Sequence, residues 1–123
     1  MPTVRIGDRL VGDGQPCFIV AELGINHCGS ALVAERLIRE AATAGADAVK
    51  FQRRSVEDLL SRAALEAPYD SVHAYAATYG DHRRALELPD AAWTDLKACA
   101  EGLRLLFFAS SWEPKSVDFL AAL

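Results

Sequence analysis

Cysteine is scarce and offers no framework: Cys17, Cys28 and Cys99 are odd in number, and no two stand at CxxC spacing. That excludes a disulfide scaffold and a zinc knuckle and leaves reduced thiols. Excess basic charge is also missing. Thirteen Lys and Arg against 17 Asp and Glu give a formal net charge of −4 with no long like-charge run, so the footprint of a nucleic-acid binder or a polybasic membrane patch is absent. No apolar run approaches the roughly 18 residues that span a bilayer. The opening residues Met1-Pro2-Thr3-Val4-Arg5-Ile6-Gly7-Asp8 put charges where a signal peptide needs its apolar core. The expectation is a cytoplasmic protein acting on a small molecule, with neither nucleic acid nor membrane as partner.

What is present is the balance of a globular protein, 51% hydrophobic and 24% charged over 123 residues. Val4 and Ile6, then Leu10 and Val11, separated by Gly7-Asp8 and closed by Gly12-Asp13-Gly14, predict an opening hairpin. Cys17 to Ala21 is an apolar run of the kind found in a strand buried on both faces, and it stops at Glu22. Ser30 caps a predicted helix carrying Leu32, Ala34, Leu37, Ala41 and Ala44, with Gly45 in the C′ role.

A second strand, Ala46 to Phe51, follows one βαβ interval later. From Gln52 to Leu88 the chain is an elaborated connection with a capping box at Ser55-Val56-Glu57-Asp58, and long connections in compact domains tend to serve function. Pro89 opens a helix with Ala92, Trp93, Leu96, Cys99 and Ala100 on its buried face, ended by Gly102. Leu103 to Ala109 is the third predicted strand. A last helix starts near Glu113, with Val117, Leu120 and Leu123 on one face. Right-handed crossovers then put the helices outside a parallel sheet, which is either open or an arc of a barrel.

Ligands of parallel α/β folds bind at the C-terminal ends of the strands. That rule selects Glu22 with Asn26 and His27 after the first strand, Lys50 and Gln52 at the exit of the second, and Ser110-Ser111-Trp112 after the third. Charges ending apolar strands must be paired or solvated. Glu22 and Lys50 are therefore either a structural ion pair at the rim, or a carboxylate for proton transfer beside a cation for an anionic substrate. His27 lacks further ligands at metal spacing, which favours a loop-orienting hydrogen bond. His73 and His82 are expected in solvent. Ser110 either holds a phosphate oxygen at the next helix N-terminus or caps that helix. Cys28 has no identified base, so a structural role is the better reading.

Phe18-Ile19-Val20-Ala21-Glu22-Leu23-Gly24-Ile25-Asn26-His27 resembles the AEIGINH motif of the sialic acid synthase family, which includes N-acetylneuraminate, legionaminate and pseudaminate synthases. Gly45 to Gln52 resembles its GADAVKFQ motif, Tyr79 to Leu88 its YGEHR segment, and Phe107 to Ser110 with Ser116 to Leu120 its third strand and helix. The resemblance covers essentially the whole chain. It implies that residues 1–123 are the N-terminal part of an incomplete (β/α)8 TIM barrel: a β-hairpin and three βα units, without the later strands or the C-terminal antifreeze-like domain.

The implied reaction condenses phosphoenolpyruvate with N-acetylmannosamine or a related N-acetylated amino sugar, giving a nonulosonic acid and phosphate. By position, Glu22 would be the catalytic carboxylate, Lys50 would bind phosphoenolpyruvate, and Gln52 would contact the sugar. Asn26 and His27 would shape the first loop, and Ser110 would stand near phosphoenolpyruvate. Ser110-Ser111-Trp112-Glu113 departs from the family's Ser-Thr-Pro-Phe type of turn. The resemblance also implies a divalent metal, Mn2+ or Mg2+, whose ligands are not in this chain, and a homodimer. On that reading the segment alone is inactive. A non-catalytic remnant of the same fold, or another phosphoenolpyruvate aldolase-type barrel, are the competing readings.

Overall fold

The computed structural model describes residues 2–123. Two strands, β1 (Val4–Ile6) and β2 (Arg9–Val11), form the expected antiparallel hairpin. The remainder runs β3 (Val20–Gly24), α1 (Ala31–Thr43), β4 (Ala48–Arg53), α2 (Val56–Leu59), α3 (Arg62–Glu66), α4 (Tyr79–Leu86), α5 (Ala92–Gly102), β5 (Leu106–Ser111) and α6 (Pro114–Ala122). The strands β3, β4 and β5 lie side by side in that order, all parallel.

Local signals explain most boundaries. Ser30 accepts a hydrogen bond from the Val33 amide at 3.3 Å and so starts α1. Gly45, at φ +84°, takes the left-handed position that ends it. Each strand nevertheless begins two or three residues later than the apolar runs suggest, so that Glu22, Gln52 and Ser110 lie inside strands rather than after them. Leu103 to Leu105 belong to the turn after α5, where Arg104 adopts φ +62°. The first strand is also not buried on both faces, since Ile19 and Val20 are exposed.

Register decides which face each side chain takes. Val20, Ala48 and Leu106 are aligned across the sheet, as are Glu22, Lys50 and Phe108 two residues on. All six stand on one face. The opposite face carries Val49, Phe51 and Phe107, and these pack with Ile38 of α1 and Trp93 and Leu96 of α5 into the core. Phe51 is its centre, with ring centroids 6.1 Å from Trp93 and 5.4 Å from Phe107. The first face has no helix over it, and Val20, Leu106 and Phe108 are exposed there. Val49 and Phe107 are covered by the helices.

The hairpin is tied to the base of this sheet through Asp47. Its carboxylate accepts from the Ile19 amide at 2.8 Å and pairs with Arg9. Ile6 and Phe18 meet Val20, Ala48 and Leu106 around an apolar hollow of about 400 Å3 at the bottom of the open face.

The connection between β4 and α5 is more ordered than its composition suggests. Thr78 caps α4, accepting from the Asp81 amide at 3.2 Å. His82, expected in solvent, is buried in α4, with its ring 4.4 Å from that of Tyr69. His73 is exposed. At the Ser55 position the hydroxyl donates to the Asp58 carboxylate instead of capping a backbone amide, so the capping box is incomplete. Gly29, at φ +76°, lets the β3–α1 loop approach α4 so closely that a Cβ would sit 2.2 Å from the Ala85 carbonyl oxygen.

Two outcomes follow from this packing. Phe51→Ala should cost about 3–5 kcal/mol and largely abolish the helical circular dichroism of the chain. Phe108→Ser should leave that signal intact while reducing self-association in light scattering, because an exposed apolar face is removed. The reverse pattern would contradict the assigned faces. Burial also holds the imidazoles of His27 and His82 below their ordinary value of 6.5. Their contribution to stability is therefore complete above pH 6.5 and is lost as the pH falls through the folded-state values, by at most about 1.4 kcal/mol per pH unit for each. Urea midpoints should fall between pH 7.5 and 5.5, and His82→Gln should make that slope shallower; an unchanged slope would contradict the assignment.

Candidate functional site

At the middle of the open face the Lys50 ammonium meets the Glu22 carboxylate at 2.6 Å. Both lie on the face the sheet leaves uncovered and come together as their shared place at the ends of the apolar runs suggests. The pair is 32% and 45% exposed, and an ion pair this hydrated stabilises a fold by only about 0–1 kcal/mol. Stability is thus a poor reason for two charges among Val20, Leu106 and Phe108. Gly24, at φ +53° beside a register shift in β3, brings Gln52 to the same place: a Cβ there would lie 3.3 Å from Glu22 Oε1 and 3.4 Å from Gln52 Nε2.

Above that pair the open face continues upward. Gln52 is aligned with Ser110, and the alternation carries on past the strand ends to Arg54 and Trp112. Arg54 donates from Nη2 to Gln52 Oε1 at 2.5 Å, and its guanidinium lies 4.6 Å from the Trp112 ring centre. Its backbone amide donates to Glu87 Oε2 at 3.3 Å, and its Nε faces Glu87 Oε1 at 3.3 Å. With side-chain exposures of 2% and 14%, this second pair is mostly withdrawn from water. Burial pushes the Glu87 carboxyl up, opposed by the Arg54 charge, and pulls the Arg54 guanidinium down, opposed by Glu87. Removing either partner would strand a buried charge, at a cost of about 3–5 kcal/mol.

The first loop is organised by His27. The ring is buried against Phe51, 5.9 Å between centroids, and Nδ1 accepts from the Gly29 amide at 3.0 Å. That is a loop-orienting hydrogen bond. Asn26 stands exposed in the turn after β3, its backbone N–H donating to the Leu23 carbonyl at 2.9 Å. Cys28 is exposed at φ +52°, and its thiol faces the Asn26 carbonyl. Ser110 is not the cap of the next helix. Glu113 is, accepting from the Ser116 amide at 2.9 Å. Among the described residues no group of three His, Cys, Asp or Glu side chains converges as a metal site, so these residues do not fit the implied divalent ion. Nor is any helix long and apolar enough to cross a membrane.

Arg54 and Glu87 escape a reading that stops at the strand exits, whereas Trp112 is selected by it. The signal was the parity itself, since Lys50, Gln52 and Arg54 alternate onto one face.

Comparison with known proteins supplies the remaining constraint. Residues 37–123 match the NeuB family. The N-acetylneuraminate-9-phosphate synthases of Mus musculus and Homo sapiens are 44% and 45% identical over 112 residues, 91% of this chain and 31% of theirs. The chain thus spans about a third of the length of these curated relatives. The crystal structure of N-acetylneuraminic acid synthetase from Leptospira borgpetersenii, in complex with citrate, superposes with a TM-score of 0.76 at 26% identity, covering 98% of this chain and 38% of that one. An α/β chain with this parallel sheet, these motifs and this match over more than half its length belongs to the NeuB family.

Proposed function

We propose that this segment supplies the phosphoenolpyruvate end of a nonulosonic acid synthase. The observation that carries the reading is the Lys50–Glu22 pair, 2.6 Å apart and solvated on the open face of a parallel sheet. In this proposal Lys50 leaves Glu22 to bind the anionic groups of phosphoenolpyruvate, and Gln52 contacts the open-chain amino sugar. The enol carbon attacks the sugar aldehyde, forming the carbon–carbon bond as both π bonds open, so that the aldehyde oxygen takes up a proton from solvent to become a hydroxyl and a cation is left at the former enol-phosphate carbon. Water adds there, its proton passing to the Glu22 carboxylate, and phosphate then departs to leave the keto acid. Asn26 and His27 are proposed to shape the first loop, and Ser110, aligned with Gln52, to stand near phosphoenolpyruvate.

The open face is proposed to be completed by further barrel strands, which would bury the Lys50–Glu22 pair and strengthen its interaction with substrate. The divalent metal and the homodimer implied by the resemblance are assigned to residues outside this segment. Cytoplasmic location agrees with the small, charged substrates. The test is phosphate release from phosphoenolpyruvate with N-acetylmannosamine and Mn2+ in the full-length protein. Lys50→Met should raise the KM for phosphoenolpyruvate at least tenfold, whereas Glu22→Gln should lower kcat by about 10²–10⁴ with a smaller change in KM. Wild-type turnover matched by both variants would exclude the reading.

A second outcome concerns selectivity. Exchanging residues 53–88 for those of a relative acting on another amino sugar should change the preferred sugar more than the KM for phosphoenolpyruvate. Equal loss of both would count against a role for this connection in sugar choice.

A further inference from the structure

The side-chain amide of Gln52 is held between groups of opposite charge. Arg54 Nη2 donates to Gln52 Oε1 at 2.5 Å. At the other end the nitrogen is turned toward Glu22: a Cβ on Gly24 would lie 3.3 Å from Glu22 Oε1 and 3.4 Å from Gln52 Nε2, closer than to Gln52 Cδ at 3.9 Å. The chemistry of the two neighbours leaves the amide one orientation. A guanidinium carries donors only and an ionised carboxylate acceptors only, so the oxygen belongs toward Arg54 and the N–H groups toward Glu22. Turned over, the amide would set N–H against N–H at one end and oxygen against oxygen at the other. Arg54 is itself fixed. Its side chain is 2% exposed, its guanidinium lies 4.6 Å from the Trp112 ring centre, and Glu87 takes both its backbone amide and its Nε side at 3.3 Å. Glu87 also faces the charges of Arg53 and Arg83. A buried ion pair gives a fold little that apolar side chains of the same volume would not. What apolar side chains could not supply is a donor aimed at Gln52.

We propose that Arg54 is a positioning residue: clamped by Glu87 and Trp112, it fixes the Gln52 amide so that the N–H groups, and not the oxygen, face the open side of the sheet and meet an acceptor oxygen of the amino sugar. This rests on the synthase reading above, in which Gln52 contacts the sugar. The terminal torsion of a glutamine is broad and roughly two-fold, so a half-buried amide without such a partner presents either atom. Ordering it before the sugar arrives removes that cost from binding. In this arrangement Arg54 touches neither substrate and acts through Gln52 alone. Its removal should therefore weaken the use of the sugar and leave phosphoenolpyruvate, held by Lys50, almost unaffected.

The decisive variant combines Arg54→Met with Glu87→Met, which strands no buried charge. If it does not fold, Arg54→Met alone, which leaves Glu87 facing Arg53 and Arg83, takes its place. Gln52→Leu is made by itself and on top of either. The full-length protein is assayed with phosphoenolpyruvate, N-acetylmannosamine and Mn2+. Loss of Arg54 should lower kcat/KM for the sugar about tenfold, with less than about a twofold change in the KM for phosphoenolpyruvate. Gln52→Leu should lose at least as much, and adding it to the Arg54 variant should cost nothing beyond Gln52→Leu itself, as for residues that act as one unit. Losses that multiply in the combined variant overturn the proposal. So does an unchanged kcat/KM for the sugar, or a parallel rise in both KM values. If the wild-type protein does not turn over the sugar, the synthase reading fails by itself, and calorimetry with N-acetylmannosamine and the same variants judges the positioning role. Binding weakened about tenfold by loss of Arg54, with no further loss when Gln52→Leu is added beyond that of Gln52→Leu alone, upholds it. Independent losses, unchanged binding or absent binding overturn it.

Discussion

Everything above the hairpin depends on the register of β4 between β3 and β5. Because Glu22 aligns with Lys50 and Phe108, the residues of that parity stand together on the uncovered face, while Val49, Phe51 and Phe107 go to the helices. A slip of one residue would bury Lys50 under α5 and turn Phe51 into solvent. The aromatic cluster of Phe51, Trp93 and Phe107 therefore fixes more than stability. By filling the helix side it forces the charges onto the other.

Two kinds of ion pair divide the work at the rim. Lys50 with Glu22 is hydrated and weakly stabilising, which leaves each group free to exchange its partner for a ligand. Arg54 with Glu87 is withdrawn from water, and it fixes the end of β4 to the end of α4. A third pair, Arg53 with Asp90 at 2.9 Å, lies on the helix side, where the Arg53 guanidinium also rests 3.6 Å from the Phe119 ring centre. The long connection is thus anchored at both ends by arginines from adjacent positions. A loop held in this way can carry specificity without being mobile.

Much of this was legible in the residues. The alternation of apolar runs with helical periodicity gave the β-α-β-α-β-α order, and the strand-exit rule found Glu22, Lys50 and Gln52, because backbone topology brings strand ends to one surface whatever the loops do. Strand boundaries were less legible. Hydrophobicity marks where a strand is buried, whereas Glu22, Gln52 and Ser110 are paired by backbone hydrogen bonds that side-chain polarity does not reveal. The expectation of a solvent position for His82 fails because its burial comes largely from Tyr69, a residue of the connection brought close only when α4 folds back on it, together with Tyr79 of its own helix. The cap at Glu113 was likewise hidden, since serine is the more usual cap and Ser110 stood nearby.

The central claim is that Lys50 is the group that receives phosphoenolpyruvate on the open face. Competitive acetylation of lysine side chains, read residue by residue by mass spectrometry in the full-length protein, addresses it directly, because Lys97 and Lys115 lie away from the Glu22 rim and serve as internal references. Adding phosphoenolpyruvate should slow labelling of Lys50 severalfold while leaving Lys97 and Lys115 unchanged. Labelling of Lys50 at the same rate with and without phosphoenolpyruvate, at concentrations that saturate the protein, would contradict the account.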